Sequence, residues 1–243
     1  MDLSYQYICR KSTEIPREAI GNFDNEITEK IGCRFSDIFP AFAREFERSA
    51  QVIEGSWGEP FLAMEKGGLE WVAYIVVQNG PSNLYFLIQP EFIDKEGGVF
   101  EESHSMLPES WKELYRWFDS LCLTRERFCP VDWLNTPLRY ASRLNFNEFE
   151  KEFGAIKKNS LKNFFKSFGC VKETLVCWMM TDSGDALFLN EDSCNGEVLH
   201  VPNSNFENAM YLRDPKEALD SYLAHLLSGG APAHFLWNKH YIE

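Results

Sequence analysis

Apolar side chains recur at helical spacing over the first 50 residues. Ile20, Phe23, Ile27 and Ile31 stand 3, 4 and 4 positions apart behind Pro16, a residue suited to a first helical turn, and Gly32 offers a stop. A second helical stretch opens near Pro40, with Phe39, Phe42, Ala43 and Phe46 on one face. The period then changes. Residues 69–77 are rich in β-branched and aromatic side chains, residues 78–83 (Gln-Asn-Gly-Pro-Ser-Asn) are turn chemistry, and residues 84–89 resume the strand pattern. This predicts a hairpin with a loop of about six residues.

An acidic, glycine-containing stretch from Pro90 to Ser105 follows, and it is the expected boundary between residues 1–103 and residues 104–243. Beyond it, Trp111, Leu114, Tyr115, Phe118 and Leu121 lie at helical spacing, and 125–145 read as mostly irregular. Phe149, Phe153, Leu161, Phe164, Phe165 and Phe168 predict another helical region over 146–168. Three strands are expected at 174–180, 185–190 and 197–201, the last two joined through Asn195-Gly196, a strong hairpin signal. The final helix is the best marked. Asp214 fits an N-cap, Pro215 the first turn and Glu217 the capping-box position, ahead of an apolar face of Ala218, Leu219, Tyr222, Leu223, Leu226 and Leu227. Consecutive hairpins with helices before and after predict an α+β fold of antiparallel sheet, in two α+β subdomains.

Composition narrows the class. With 44% hydrophobic residues, 20 Phe and 7 Trp, the chain carries enough apolar surface for a core and is not expected to be disordered. The formal charge is −13, placed unevenly: residues 1–120 hold 11 Lys/Arg against 21 Asp/Glu, a net of −10, and residues 121–243 hold 13 against 16, a net of −3. Such a field repels phosphate backbones and anionic lipid and attracts basic partners, so direct nucleic-acid or membrane binding is not expected. Solubility alone explains the same charge. Six lysines between Lys151 and Lys172 interleave with Phe164 and Phe165, but the helical period sends most lysines to the face opposite the aromatics, as on a solvated helix. The N-terminus lacks a basic-then-apolar leader pattern, and no apolar run reaches the roughly 20 residues of a membrane span. The seven cysteines are odd in number with none spaced CxxC, which suits buried free thiols in a reducing, cytoplasmic setting.

Catalytic patterns are few. GxxxxGK[ST], GxGxxG and GxSxG are all missing, so no phosphate-cradling loop or nucleophile elbow is expected, and no cofactor is implied. His225, His234 and His240 stand 9 and 6 apart and share no helix face, and no metal site is expected from them. Asp182, Asp185, Glu191 and Asp192 are out of register with a calcium loop and fit hairpin turns, where acidic side chains bond their own backbone.

Four short stretches resemble a known family. Leu107-Pro-Glu-Ser-Trp-Lys-Glu-Leu-Tyr115 is similar to an "LP-x-x-[YW]-x-x-[LF]" helix opening, and Asp182-Ser-Gly-Asp-Ala-Leu-Phe-Leu189 to a "dG-x-GD-x-[LF]-x-[LF]" strand. Asn195-Gly-Glu-Val-Leu-His200 resembles the "GEV" hairpin partner, and residues 214–227 the late "s-F-x-x-[FY]-L" helix. Over about residues 107–237 the chain thus resembles the SUKH-like superfamily of immunity proteins of bacterial polymorphic toxin and type VI secretion systems. It departs from the pattern in the roughly 60 residues between the first element and the strands, and the first 100 residues match no pattern. The resemblance implies a non-enzymatic protein that occludes a cognate toxin by direct contact, and the acidic charge suits a basic toxin such as a nuclease. The expected contact residues are Glu91, Asp94, Glu96, Glu101 and Glu102, then Asp182, Asp185, Glu191 and Asp192. The competing expectations are a hydrolase whose site is assembled from scattered Asp, His and Cys residues, and an adaptor or regulatory protein of the same fold.

Overall fold

The computed structural model describes residues 7–19, 25–67, 70–87, 117, 121–124, 138–145, 175–181, 183–190, 196–203 and 208–242. The architecture is α+β, built around two five-stranded antiparallel sheets. Contacts divide the chain into two units. The first is Met1–Ile93, Arg116–Pro137 and Asp220–Gly230; the second is Asp94–Tyr115, Leu138–Leu219 and Ala231–Glu243. The chain thus passes between the two units more than once.

In the first unit the sheet is an up-and-down meander of β1 (Tyr7–Cys9), β2 (Phe61–Gly67), β3 (Glu70–Asn79), β4 (Ser82–Leu87) and β5 (Leu121–Thr124), in that order. Strands β3 and β4 form the hairpin expected from the sequence, but its turn is shorter. Asn79 pairs with Ser82, leaving only Gly80 and Pro81 between them, and Gly80 has φ +57°. Positive φ at the first central position is what a two-residue II′ turn needs, and its twist matches that of the strands.

Strand period sorts the sheet into two faces. Leu62, Ile75, Val77, Leu84, Phe86 and Leu121 share one of them, by the observed register. The short helices α1 (Asn25–Glu29), α2 (Phe35–Ile38), α3 (Pro40–Glu45) and α4 (Glu47–Ser56) precede β2, and aromatics of α2, of α3 and of the residue between them, Phe39, close this face. The rings of Phe35, Phe39 and Phe42 lie 5.1, 4.8 and 5.4 Å from Phe86, and Trp117 sets an edge against Phe42 at 5.4 Å. Such pairs add about 0.5–1.5 kcal/mol each beyond area burial. The helix expected behind Pro16 is described only over α1. Ala19 N donates to Pro16 O at 2.9 Å in a turn.

The second sheet runs β10 (Met210–Tyr211), β9 (Val198–Val201), β8 (Ala186–Asn190), β7 (Leu175–Thr181), β6 (Leu138–Asn145). The three strands expected late in the chain are β7, β8 and β9. Residues 138–145, expected to be irregular, are instead a strand, with a register shift between Tyr140 and Leu144. Their sequence lacks clean alternation, and pairing with β7 supplies what local propensity does not. Helix α5 (Pro215–Leu227) is the marked one: Glu217 N donates to Asp214 Oδ1 at 3.0 Å, and all six residues of its apolar face are buried. Leu121 lies in β5 rather than in a helix, and the expected helical region over 146–168 lies outside the described residues.

Candidate functional site

Strands β8 and β9 set the site. Leu187 pairs with His200, and Ala186 with Val201, so the residue entering β8, Asp185, comes to the same end of the sheet as His200. The turn before β8 is closed by its own hydrogen bonds. Thr181 N donates to Asp185 O and Gly184 N to Thr181 O, both at 2.9 Å, while Asp185 N donates to Thr181 Oγ1 at 3.1 Å. Gly184 takes φ +83°, a conformation that side chains other than glycine's resist.

The Asp185 carboxylate is the hub. Ser183 Oγ donates to Oδ2 and Asn203 N to Oδ1, each at 2.9 Å. Because the Ser183 proton is committed there, the 2.9 Å contact between Thr181 Oγ1 and Ser183 Oγ has threonine as donor. Burial pushes the Asp185 carboxyl up, but His200, the Asn203 amide and Ser183 together outweigh it and hold the group below the ordinary carboxylate range. It is therefore ionised at neutral pH.

His200 is 1% exposed, stacked on Trp237 at 4.5 Å with 19° between the ring planes. Its Nδ1 is 2.9 Å from Tyr241 Oη, and its Nε2 is 3.6 Å from Asp185 Oδ2. The second separation is electrostatic contact, too long for a hydrogen bond. Burial lowers the His200 pKa despite the opposing pull of Asp185, so the ring is neutral at neutral pH. Asp185 only accepts, which places the proton on Nε2 and leaves Nδ1 to accept from the Tyr241 hydroxyl. Burial, then the Asp185 charge, push the Tyr241 phenol up to about 12. Tyr241 is held there by short pairing of the chain end: Ile242 N donates to Tyr211 O at 3.0 Å and Arg213 N to His240 O at 2.8 Å.

These residues border an open cleft of about 500 Å³ that is also lined by Pro232, Phe235, Leu236 and Asn238, with Phe235 half-buried and Leu236 54% exposed. Among the described lining residues Asp185 carries the only formal charge at neutral pH, and none is Lys or Arg. The Tyr241–His200–Asp185 line could relay a proton, but the imidazole is sealed from solvent, so the cleft itself meets a carboxylate, hydroxyls and apolar surface.

Of the residues singled out from the sequence, Asp185 is in this site. Asp182, Glu191, Asp192, Glu91, Asp94, Glu96, Glu101 and Glu102 lie outside the described residues. His225, His234 and His240 join no group of three or more metal-ligating side chains among the described residues. Cys9 and Cys177 are buried and Cys33 is exposed, all as free thiols. Burial pushes the Cys177 thiol up, and burial with Glu14 does so for Cys9, which opposes thiolate nucleophilicity. His200, Asn203, Trp237 and Tyr241 were not singled out from the sequence. The Asn195-Gly196 hairpin signal could have placed His200 near Asp185 by register, while nothing local marks the other three. Among the described residues no helix is long and apolar enough to cross a membrane. No protein-family model matches the chain, and no curated protein or solved structure matches it either.

Proposed function

We propose that the chain is a non-enzymatic binding protein that captures a basic protein partner: an immunity protein that neutralises a cognate toxin by direct contact, inside the producing bacterial cell. The observation that supports this most is the cleft at Asp185, which pairs one ionised carboxylate with apolar surface and has no cation among its described lining residues. The net charge of −13 adds a long-range field that speeds encounter with a basic partner. Tagged full-length chain, recovered from cells that make it, should bring down a stoichiometric basic protein encoded by the neighbouring gene, identified by mass spectrometry. A clean preparation from cells shown to express that neighbour defeats the reading. Charge reversal at Glu101 and Glu102 then asks whether the acidic stretch also contributes affinity.

A second reading, a hydrolase, draws on the Tyr241–His200–Asp185 line, whose members are displaced from their ordinary pKa values in one open cleft. Its test is turnover of a panel of p-nitrophenyl esters that disappears in Tyr241→Phe. Against it, His200 is shielded from the cleft and a phenol with a raised pKa is a poor nucleophile.

A further inference from the structure

We propose that the cleft beside Asp185 is a receptor for an arginine side chain presented by the basic partner. The inference rests on the reading of the chain as a binder of such a partner. An ionised carboxylate offers about four acceptor positions, and among the described residues Asp185 uses two, toward Ser183 and the Asn203 amide. His200 Nε2, at 3.6 Å, takes none of the rest by hydrogen bonding. The remaining positions on Oδ1 and Oδ2 suit the paired N–H groups of a guanidinium. The two existing bonds hold the carboxylate in place, so little freedom is lost when a cation arrives.

The apolar lining of the cleft suits the rest of the side chain. Phe235 offers a half-buried ring and Leu236 an exposed aliphatic surface, against which the three-carbon stem of arginine can lie. Arginine is favoured over lysine because its head is planar, forked and weakly hydrated, whereas an ammonium is a compact, strongly hydrated point charge. The volume, about 500 Å³, leaves room for the flanking residues of a peptide segment.

The test uses the isotope-labelled full chain and amide NMR, titrated with N-acetyl-arginine amide and, separately, N-acetyl-lysine amide. Saturable shifts are expected at the Asp185 and Asn203 amides and at the Trp237 indole, with arginine binding about fivefold tighter than lysine. Asp185→Asn should weaken arginine binding about tenfold. Because Asp185 also supports its turn, Leu236→Lys is the second variant. That side chain is mostly exposed, so the fold should survive while a cation at the mouth weakens binding by a similar factor. No saturable shift, equal arginine and lysine affinities, or wild-type affinity in both variants overturns the proposal. The two inferences fail separately. A captured basic partner that binds both variants as tightly as wild type leaves the functional reading and removes the cleft, whereas arginine binding without any captured partner does the reverse.

Discussion

Replacing Asp220 with alanine removes a helix cap that comes from far along the chain. Helix α4 begins after Phe46, whose side chain caps nothing, so its first amides would be orphaned. The Asp220 carboxylate takes them instead: Arg48 N and Ser49 N each donate to it at 2.9 Å, and Ser49 Oγ donates to Oδ1 at 2.6 Å. Asp220 is only 6% exposed and Ser49 is fully buried, so water cannot easily replace the lost acceptor. Loss of a cap costs about 0.5–2 kcal/mol, and a buried donor left unsatisfied about 1–3 kcal/mol. The Ser49 hydroxyl keeps a bond to Asp220 O at 3.1 Å and Arg48 N is only part-buried, which limits the total to about 3 kcal/mol. Asp220→Asn retains an acceptor but not the charge that favours a helix N-terminus, and should cost about half as much. Urea unfolding followed by far-UV circular dichroism measures both, with a thermal midpoint for Asp220→Ala lower by about 6–12 °C. A double-mutant cycle with Ser49→Ala should return a coupling of about 1 kcal/mol. If Asp220→Ala lies within about 0.5 kcal/mol of wild type, the interhelix cap contributes nothing and the reasoning is wrong.

Phe42→Ala should be among the most destabilising single changes in the first unit, at about 3–5 kcal/mol by urea midpoint, because the ring is fully buried among Phe35, Phe46, Phe86 and Trp117. A cost below about 1 kcal/mol would show that this aromatic cluster repacks. Gly184→Ala forces a side chain into φ +83° and sets its Cβ 2.8 Å from Asn203 Nδ2, so it should cost about 1–3 kcal/mol and disturb the Asn203 amide resonance. An unchanged unfolding midpoint would contradict that placement. Acid sensitivity should trace to His200. Its folded pKa lies below the ordinary 6.5, so the folded state binds fewer protons than the unfolded one, and stability present above that pH is lost as pH falls through and below it. The lowered Asp185 carboxyl adds a second loss that begins below about pH 4. The slope from His200 cannot exceed about 1.4 kcal/mol per pH unit, and His200→Gln should flatten the urea midpoint profile as pH falls below about 6.5. A variant with the wild-type slope would refute the assignment.

What was legible in the sequence is what short-range chemistry decides. Strands β7, β8 and β9 follow from short apolar runs broken by turn residues, and α5 from an Asp-Pro-x-Glu start whose cap bond spans three positions. Asp185 was legible as an acidic turn residue, though not as the hub of a cleft. The tertiary structure decided the rest. Strand β6 exists because β7 pairs with it, the cap on α4 arrives from Asp220, 171 positions from Ser49, and Tyr241 reaches His200 across 41. The physical reason is common to all three. A hydrogen bond between groups so far apart depends on where the whole chain folds back, and no local spacing of residue types carries that information.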